Sequence, residues 1–346
     1  MKFITSIIVI AVAAVLLGVF TLNLQLSAKL DYSDVLEFEV KSGEGFNLVL
    51  ARVKNRIPTF PIEAAKIYLK ATKNEQTLKV SEYEIPINKS AMDILKILMK
   101  GQTIERVVTF QEGINTFQMA DIMEKAKLLK AEDFIIKSKD PEFIKSLLGY
   151  EAPSLEGYIF PDTYRLPKKW SVEQYISFFV KTHLNVWNEI EKDFNPEMSH
   201  HQVVILASMI EKETGAGFER PMISSVFHNR LKKSMRLQSD PTTIYGVWVK
   251  TEKMLRNITR KDLTTPTPYN TYTVSGLPFG PIANPGKAAL IAALKPTESN
   301  NYYFVSKNDG THQFSRTYEQ HTAAVRKFQM DPKARAGKSW RNLKSK

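Results

Sequence analysis

The chain carries two hydrophobic periods, one of about 3.6 residues and one of two, preceded by a single run with no period at all. Between Lys2 and Lys29 lie 26 uncharged residues, FITSIIVIAVAAVLLGVFTLNLQLSA. A membrane span needs about 20 apolar residues, and a cleavable signal core only about 7–15. Leu26-Ser27-Ala28 is a poor small-residue cleavage site, so residues 1–30 read as an uncleaved transmembrane helix. Lys2 precedes the run, whereas Asp31 and Asp34 closely follow Lys29. This weak asymmetry places the N-terminus in the cytoplasm and the rest of a single-pass chain in the periplasm, at the cell inner membrane. No later segment is long and apolar enough to span again.

Past the anchor, LEFEV (36–40) alternates like a short strand, and NLVLARVKNR and EAAKIYLKA carry the helical period. SEYEI is strand-like, and KSAMDILKILMKG is a helix stopped at Gly101, the residue type that ends helices most cheaply. RVVTF then repeats the strand and INTFQMADIMEKAKLL the helix. Alternation in units of about 30–50 residues predicts small α/β modules over residues 31–150 rather than one large parallel sheet.

Near residue 150 the texture changes. SVEQYISFFVKTHLNVWNEIEKDF predicts a long helix with a buried aromatic side, and HQVVILASMIEKE and RPMISSVFHNRLKKS predict two more. A stretch dense in Gly, Pro, Asn and Thr follows, from LQSDPTTIYG through YNTYTVSGLPFGPIANPG, and reads as long loops. Helix GKAALIAALK, strands NYYFVS and HQFS and helix TYEQHTAAVRKFQ complete a helix-rich domain over residues 151–330. The fold class expected is α+β. Long ordered loops between helices are uncommon unless they bind something. Residues 331–346, with KARAGKSWRNLKSK, read as a basic, solvated, poorly ordered tail.

Composition narrows the chemistry. The 43% hydrophobic content is ample for a core, and the absence of cysteine removes disulfides, thiolate catalysis and Cys-based zinc sites. The formal charge of +12 favours an anionic partner. The basic residues are widely spread without a nucleic-acid motif, so no nucleic acid is expected. There is no HExxH string, no Walker loop and no GxSxG elbow. Neither a metal nor an organic cofactor is called for. His312 and His321 read as packing or capping groups.

One helix holds two glutamates, in ASMIEKETG (207–215). Positions two apart on a helix do not share a face. At about 100° per residue, Met209, Leu206 and Gln202 fall on the side of Glu213, whereas Val204, Ala207 and Ser208 fall with Glu211. Both sides are apolar or small, which predicts a helix buried nearly all round. Glu213 lies in the last turn, where the helix dipole and apolar neighbours disfavour its charge and raise its pKa, as a general acid requires. A Glu before a glycine is more often a solvated helix end, and spacing alone leaves both readings open. Glu211 is expected to pair with a nearby base such as Arg230 or one among the neighbours of Lys212. Gln238, Asp240, Tyr269, Asn270 and Tyr272, on the loops, combine short polar groups with aromatic faces and suit a sugar ligand. Turn-making explains Asp240 before Pro241 and Asn270 before Thr271 equally well.

Taken in order, LEGYIFPDTY (155–164), ASMIEKETG, SVFHNRL (225–231), LQSDPTTIYG (237–246), TPYNTYTVSGLPFGPIANPG (267–286) and ALKP (293–296) resemble the MltG (YceG-like) family of membrane-anchored endolytic murein transglycosylases. The likeness covers roughly residues 30–330; His228 departs from the aliphatic or aromatic residue expected at its position, and the basic tail is not a family feature. The resemblance implies a LysM-like module after the anchor and a catalytic domain behind it. It also implies that Glu213, the second glutamate of EKET, is catalytic. The substrate would be the β-1,4 MurNAc–GlcNAc bond of nascent peptidoglycan glycan strands, cut to leave 1,6-anhydroMurNAc ends and so terminating elongation, in company with peptidoglycan synthases. A non-catalytic peptidoglycan-binding scaffold is the rival reading. A pyridoxal-phosphate lyase would need a Schiff-base lysine and a phosphate cup, chemistry rare outside the cytoplasm.

Overall fold

The computed structural model describes residues 2–74, 78–101, 105–194, 197–251 and 257–331, so the basic tail lies, from residue 332, outside them. The chain divides into two compact units, Met1–Val107 with Arg165–Trp170, and Val108–Tyr164 with Ser171–Lys346.

The first unit runs α1 (Lys2–Ser27), β1 (Leu36–Val40), α2 (Phe46–Arg56), α3 (Ile62–Ala71), β2 (Ser81–Ile85) and α4 (Ala91–Lys100). Within α1, Val9–Ser27 is long and apolar enough to cross a membrane, and only 6% of that stretch is buried. Its last turn joins the core through Leu26. β1 and β2 pair antiparallel, Leu36 opposite Ile85 and Val40 opposite Ser81. Val49, Leu50 and Val53 of α2 recur at helical spacing and meet Phe60, Leu69, Ile94 and Leu98 in one core. Ser90 and Asp93 form a reciprocal capping box at the start of α4, and Gly101 closes it at φ 64°, as the sequence pattern predicts.

The boundaries between units fall inside β3 (Glu105–Thr109) and β4 (Thr163–Pro167) and after Trp170, on either side of the change of texture at residue 150 rather than at it. The reason lies in two helices the hydrophobic pattern did not reveal, α6 (Ala131–Lys137) and α7 (Pro141–Leu148), which follow α5 (Thr116–Lys125) and pack on α8 (Val172–Ile190) in the second unit. Next come α9 (His200–Glu213), α10 (Arg220–Lys232), α11 (Asp240–Thr251), α12 (Arg260–Thr264) and α13 (Lys287–Leu294). The hairpin β5 (Tyr303–Ser306) and β6 (His312–Ser315), with Tyr303 opposite Ser315, precedes α14 (Tyr318–Val325). Among the described residues the strands form three two-stranded sheets, β1–β2, β3–β4 and β5–β6, and helices make the core of the second unit. LQSDPTTIYG is not the loop expected: from Asp240 onward it is helical, because a proline in the first turn lacks only an N–H that has no helical acceptor there.

α9 is the central helix of this unit. Every residue from Val203 to Glu211 is buried, as the two-sided apolar pattern predicts. It is seated by the chain segments around residues 157 and 284. The Asn284 Oδ1 accepts from the Gly157 and Ile159 amides at 2.9 and 3.0 Å, and its Nδ2 donates to Glu156 at 2.9 Å. Gly157 adopts φ +88°, and a Cβ there would lie 2.7 Å from Val204 of α9 and 2.6 Å from Pro281. Only glycine fits.

Candidate active site

α9 stops at Glu213 because Thr214 turns extended, at φ −142° and ψ 139°. The two glutamates diverge as their spacing requires. Glu211 points inward: its side chain is only 4% exposed and accepts from Arg220 at 2.7 Å and from the Gly286 amide at 3.1 Å. Its base is therefore Arg220, the first residue of α10, and not Arg230. Glu213 is half-buried and accepts a 2.5 Å hydrogen bond from the Ser239 hydroxyl.

Burial is the main influence on Glu213 and pushes its pKa up to about 7. The Ser239 hydrogen bond and the Arg230 guanidinium favour the carboxylate, while the charge of Asp240 opposes it. Arg230 itself is fixed by donating to the carbonyls of Tyr302 (2.6 Å) and Leu237 (2.8 Å). Ser239 is equally fixed, its amide on Thr271 Oγ1 at 2.9 Å and its carbonyl accepting from Thr242 Oγ1 at 2.6 Å. The acid thus sits against side chains that have no freedom to follow it.

Glu213 opens onto a cavity of about 250 Å³ that it shares with Arg230, Gln238, Asp240, Tyr272, Tyr303, Phe304, Tyr318 and His321. Tyr272 donates its hydroxyl to Asp240 at 2.6 Å. Gln238 holds φ 47°, an uncommon conformation for a non-glycine residue, at the edge of the same cavity. The structure therefore gathers Glu213, Gln238, Asp240 and Tyr272. It does not bring Tyr269 or Asn270 to them. Asn270 is wholly buried; its Oδ1 accepts from Thr243 and the Tyr272 amide, and its Nδ2 donates to the Thr265 carbonyl at 2.8 Å. Its side chain is a loop brace with no capacity left for a ligand. Tyr269 lines a separate cavity of about 500 Å³.

Sequence reading passed over four groups here. Ser239 and Arg230 lie in LQSDPTTIYG and SVFHNRL, but their approach to Glu213 is tertiary and leaves no local signal. His321, read as a packing group, stacks on Tyr303 at 5.1 Å and lines the cavity. Glu156 is a second carboxyl pushed up to about 7 by burial. It differs from Glu213 in access: it is 1% exposed and its oxygens are taken by the Thr116 amide, Tyr245 and Asn284. A carboxyl near pKa 7 with an open face can give and take a proton at neutral pH; a sealed one cannot.

The family model described as the YceG-like family matches residues 38–327. An endolytic murein transglycosylase of Bacillus subtilis (strain 168) is 30% identical over 319 residues, 86% of each chain. One from Streptococcus pneumoniae (strain R6) is 28% identical over 288 residues, 73% of this chain but 51% of the relative, so this chain spans about half of that longer protein. A 2.6 Å crystal structure of a YceG-like protein from Listeria monocytogenes is 31% identical, with a TM-score of 0.56 over 84% of this chain and 98% of that one. The match takes in β2 and most of β1, the buried α9 and the whole Glu213 cavity, and the chain belongs to the YceG-like family.

Proposed function

We propose that the protein is a membrane-anchored endolytic lytic transglycosylase of peptidoglycan in which Glu213 is the single acid and base. The observation that carries this is the carboxyl of Glu213, with its pKa near 7, one oxygen held by Ser239 and a face open to a polar, aromatic cavity. Glu213 donates its proton to the oxygen linking MurNAc C1 to GlcNAc as that C1–O bond breaks, and positive charge develops on the muramic ring. The carboxylate then takes the proton from the same sugar's C6 hydroxyl while O6 bonds to C1. Glu213 returns to its acid form, and the product ends in 1,6-anhydroMurNAc. Glycoside hydrolysis generally needs a second carboxylate to attack or to activate water. Here the tethered hydroxyl replaces water, and its effective molarity supplies the rate.

Gln238, Asp240 and Tyr272 are the glycan contacts, with Asp240 oriented by Tyr272. Asp240 also raises the Glu213 pKa, which favours the acid form, and its carboxylate stands on the side where the oxocarbenium develops. In this reading α1 spans the inner membrane once with its N-terminus in the cytoplasm. The small two-strand, two-helix module after it is the LysM-like part, and the second unit acts on nascent strands in the periplasm beside the synthases that make them. Mass spectrometry of products from purified glycan strands tests the reaction. Anhydro ends, lost on Glu213→Gln with the fold retained, are expected; ordinary reducing ends would make the protein a hydrolase.

A further inference from the structure

The larger cavity, of about 500 Å³, plays no part in the chemistry at Glu213, yet it is built like a ligand site. Its walls are Phe117, Tyr269, Val249 and Phe279, and its rim carries Lys139 and Lys250. Phe279 is 60% exposed and Val249 40%, apolar surface that a soluble face ordinarily hides. Neither lysine has an ion-pair partner among the described residues; Lys139 is held over the ring of Phe117, 5.1 Å from its centroid. Glu156 also lines the cavity, but its oxygens are already taken by Tyr245, Asn284 and the Thr116 amide, which leaves the rim lysines to receive a charged group. A ligand that fits carries small apolar groups for the walls and a carboxylate for the rim.

α11 connects this cavity to the other one. Asp240, its first residue, lines the Glu213 cavity, and Val249 and Lys250, nine and ten residues on, line this one. At 1.5 Å per residue that separation is about 14–15 Å along the helix. An extended peptide of four residues covers about 13 Å. A muramic sugar held at Glu213 carries such a peptide on its lactyl group: a stem of alternating alanine methyls and free carboxylates. The geometry points to this cavity as a subsite for the peptide stem of the glycan strand, with the stem's terminal carboxylate between Lys139 and Lys250 and an alanine methyl against Phe117 and Phe279. The assignment rests on the transglycosylase reading for the identity of the ligand, and its test separates the two.

Isothermal titration of the detergent-solubilised full chain with the free stem tetrapeptide, ending in a D-alanine carboxylate, measures the subsite without any cleavage. Binding is expected, weakened about tenfold in the Lys139→Ala, Lys250→Ala double variant, the combined effect of two exposed charge contacts. Both lysines are exposed, so the fold is unaffected. Phe279→Ala should weaken binding as well. On glycan strands with stems, KM should be lower than on strands stripped by an amidase, and the lysine variant should lose that preference while cleaving stripped strands at the normal rate. No binding to the normal protein, or equal binding by the lysine variant, overturns the subsite. Peptide binding with no glycan cleavage supports the subsite and removes the transglycosylase reading instead.

Discussion

Ser239 donates its hydroxyl to Glu213 at 2.5 Å, across the 26 residues that separate them in sequence. The bond stabilises the carboxylate, so it holds the Glu213 pKa below what burial alone would set. Removing the donor raises that pKa further. A general acid works only while protonated, and activity therefore falls as pH rises through the pKa. Ser239→Ala should move the alkaline limb of the kcat/KM profile to higher pH, and the loss of a hydrogen bond to a charged group should lower the maximum about tenfold. A rate loss without any movement of the limb would reduce Ser239 to a packing residue.

The two glutamates of α9 should fail in different ways. Glu213→Gln cannot transfer a proton, and loss of a general acid typically costs about 10²–10⁴ in rate, more where one group serves twice. Its melting temperature should hardly change. Glu211→Gln leaves the Arg220 guanidinium without its buried counter-charge, at a cost of about 1–3 kcal/mol. Activity per folded molecule should survive. Thermal melts paired with turnover on glycan strands decide it, and an inactive, fully stable Glu211→Gln protein would reverse the assignment.

Asn270 and Tyr272, two residues apart, should also separate. Asn270→Ala removes acceptor and donors from a wholly buried brace and leaves the Thr265 carbonyl and the Thr243 hydroxyl unpaired. Each such orphan costs about 1–3 kcal/mol, so a marked drop in melting temperature is expected. Tyr272→Phe removes only the hydroxyl that orients Asp240 at the cavity. Turnover should fall with little change in melting. If the two variants behave alike, the loop is a single structural unit and Tyr272 has no separate contact role.

Most helices of the second unit and the small modules of the first were legible because their apolar period matched burial on one face. α6 and α7 were not, since each is short, and a short helix offers too few turns for a period to show. α11 was lost to its composition: Asp, Pro, Thr and Gly read as turn formers and outweighed Ile244, Tyr245, Val247, Trp248 and Val249. The placement of Glu213 followed from angle and position alone, because a helix end is a local property. Arg230 and His321 come to the cavity from α10 and α14, and Ser239 from the segment just before α11. Contacts of that kind are fixed by the tertiary fold and leave no mark in neighbouring residues.

Acid should unfold the second unit through a buried histidine cluster. His183 is wholly buried, its Nε2 lies 3.0 Å from that of His200, and Trp187 stacks on His200 at 4.1 Å. Tyr158 meets His201 at 2.5 Å and Tyr150 meets His200 at 3.1 Å, so the groups facing the imidazoles are phenols and other imidazoles. Burial, reinforced in each by a neighbouring imidazole, pulls His183 down to about 3 and His200 down to about 4, and burial alone lowers His201. In the unfolded chain these residues protonate near pH 6.5. Between pH 6.5 and about 4 the unfolded state thus binds protons that the folded state refuses, and stability falls with pH. The slope approaches about 1.4 kcal/mol per pH unit for each histidine. Above pH 6.5 the cluster contributes no pH dependence. His183→Leu should lower stability at pH 8, where the contact to His200 is lost, yet flatten the acid limb by one proton. Denaturant melts from pH 4 to 8 measure both effects, and an unchanged acid slope in the variant would place the acid sensitivity elsewhere.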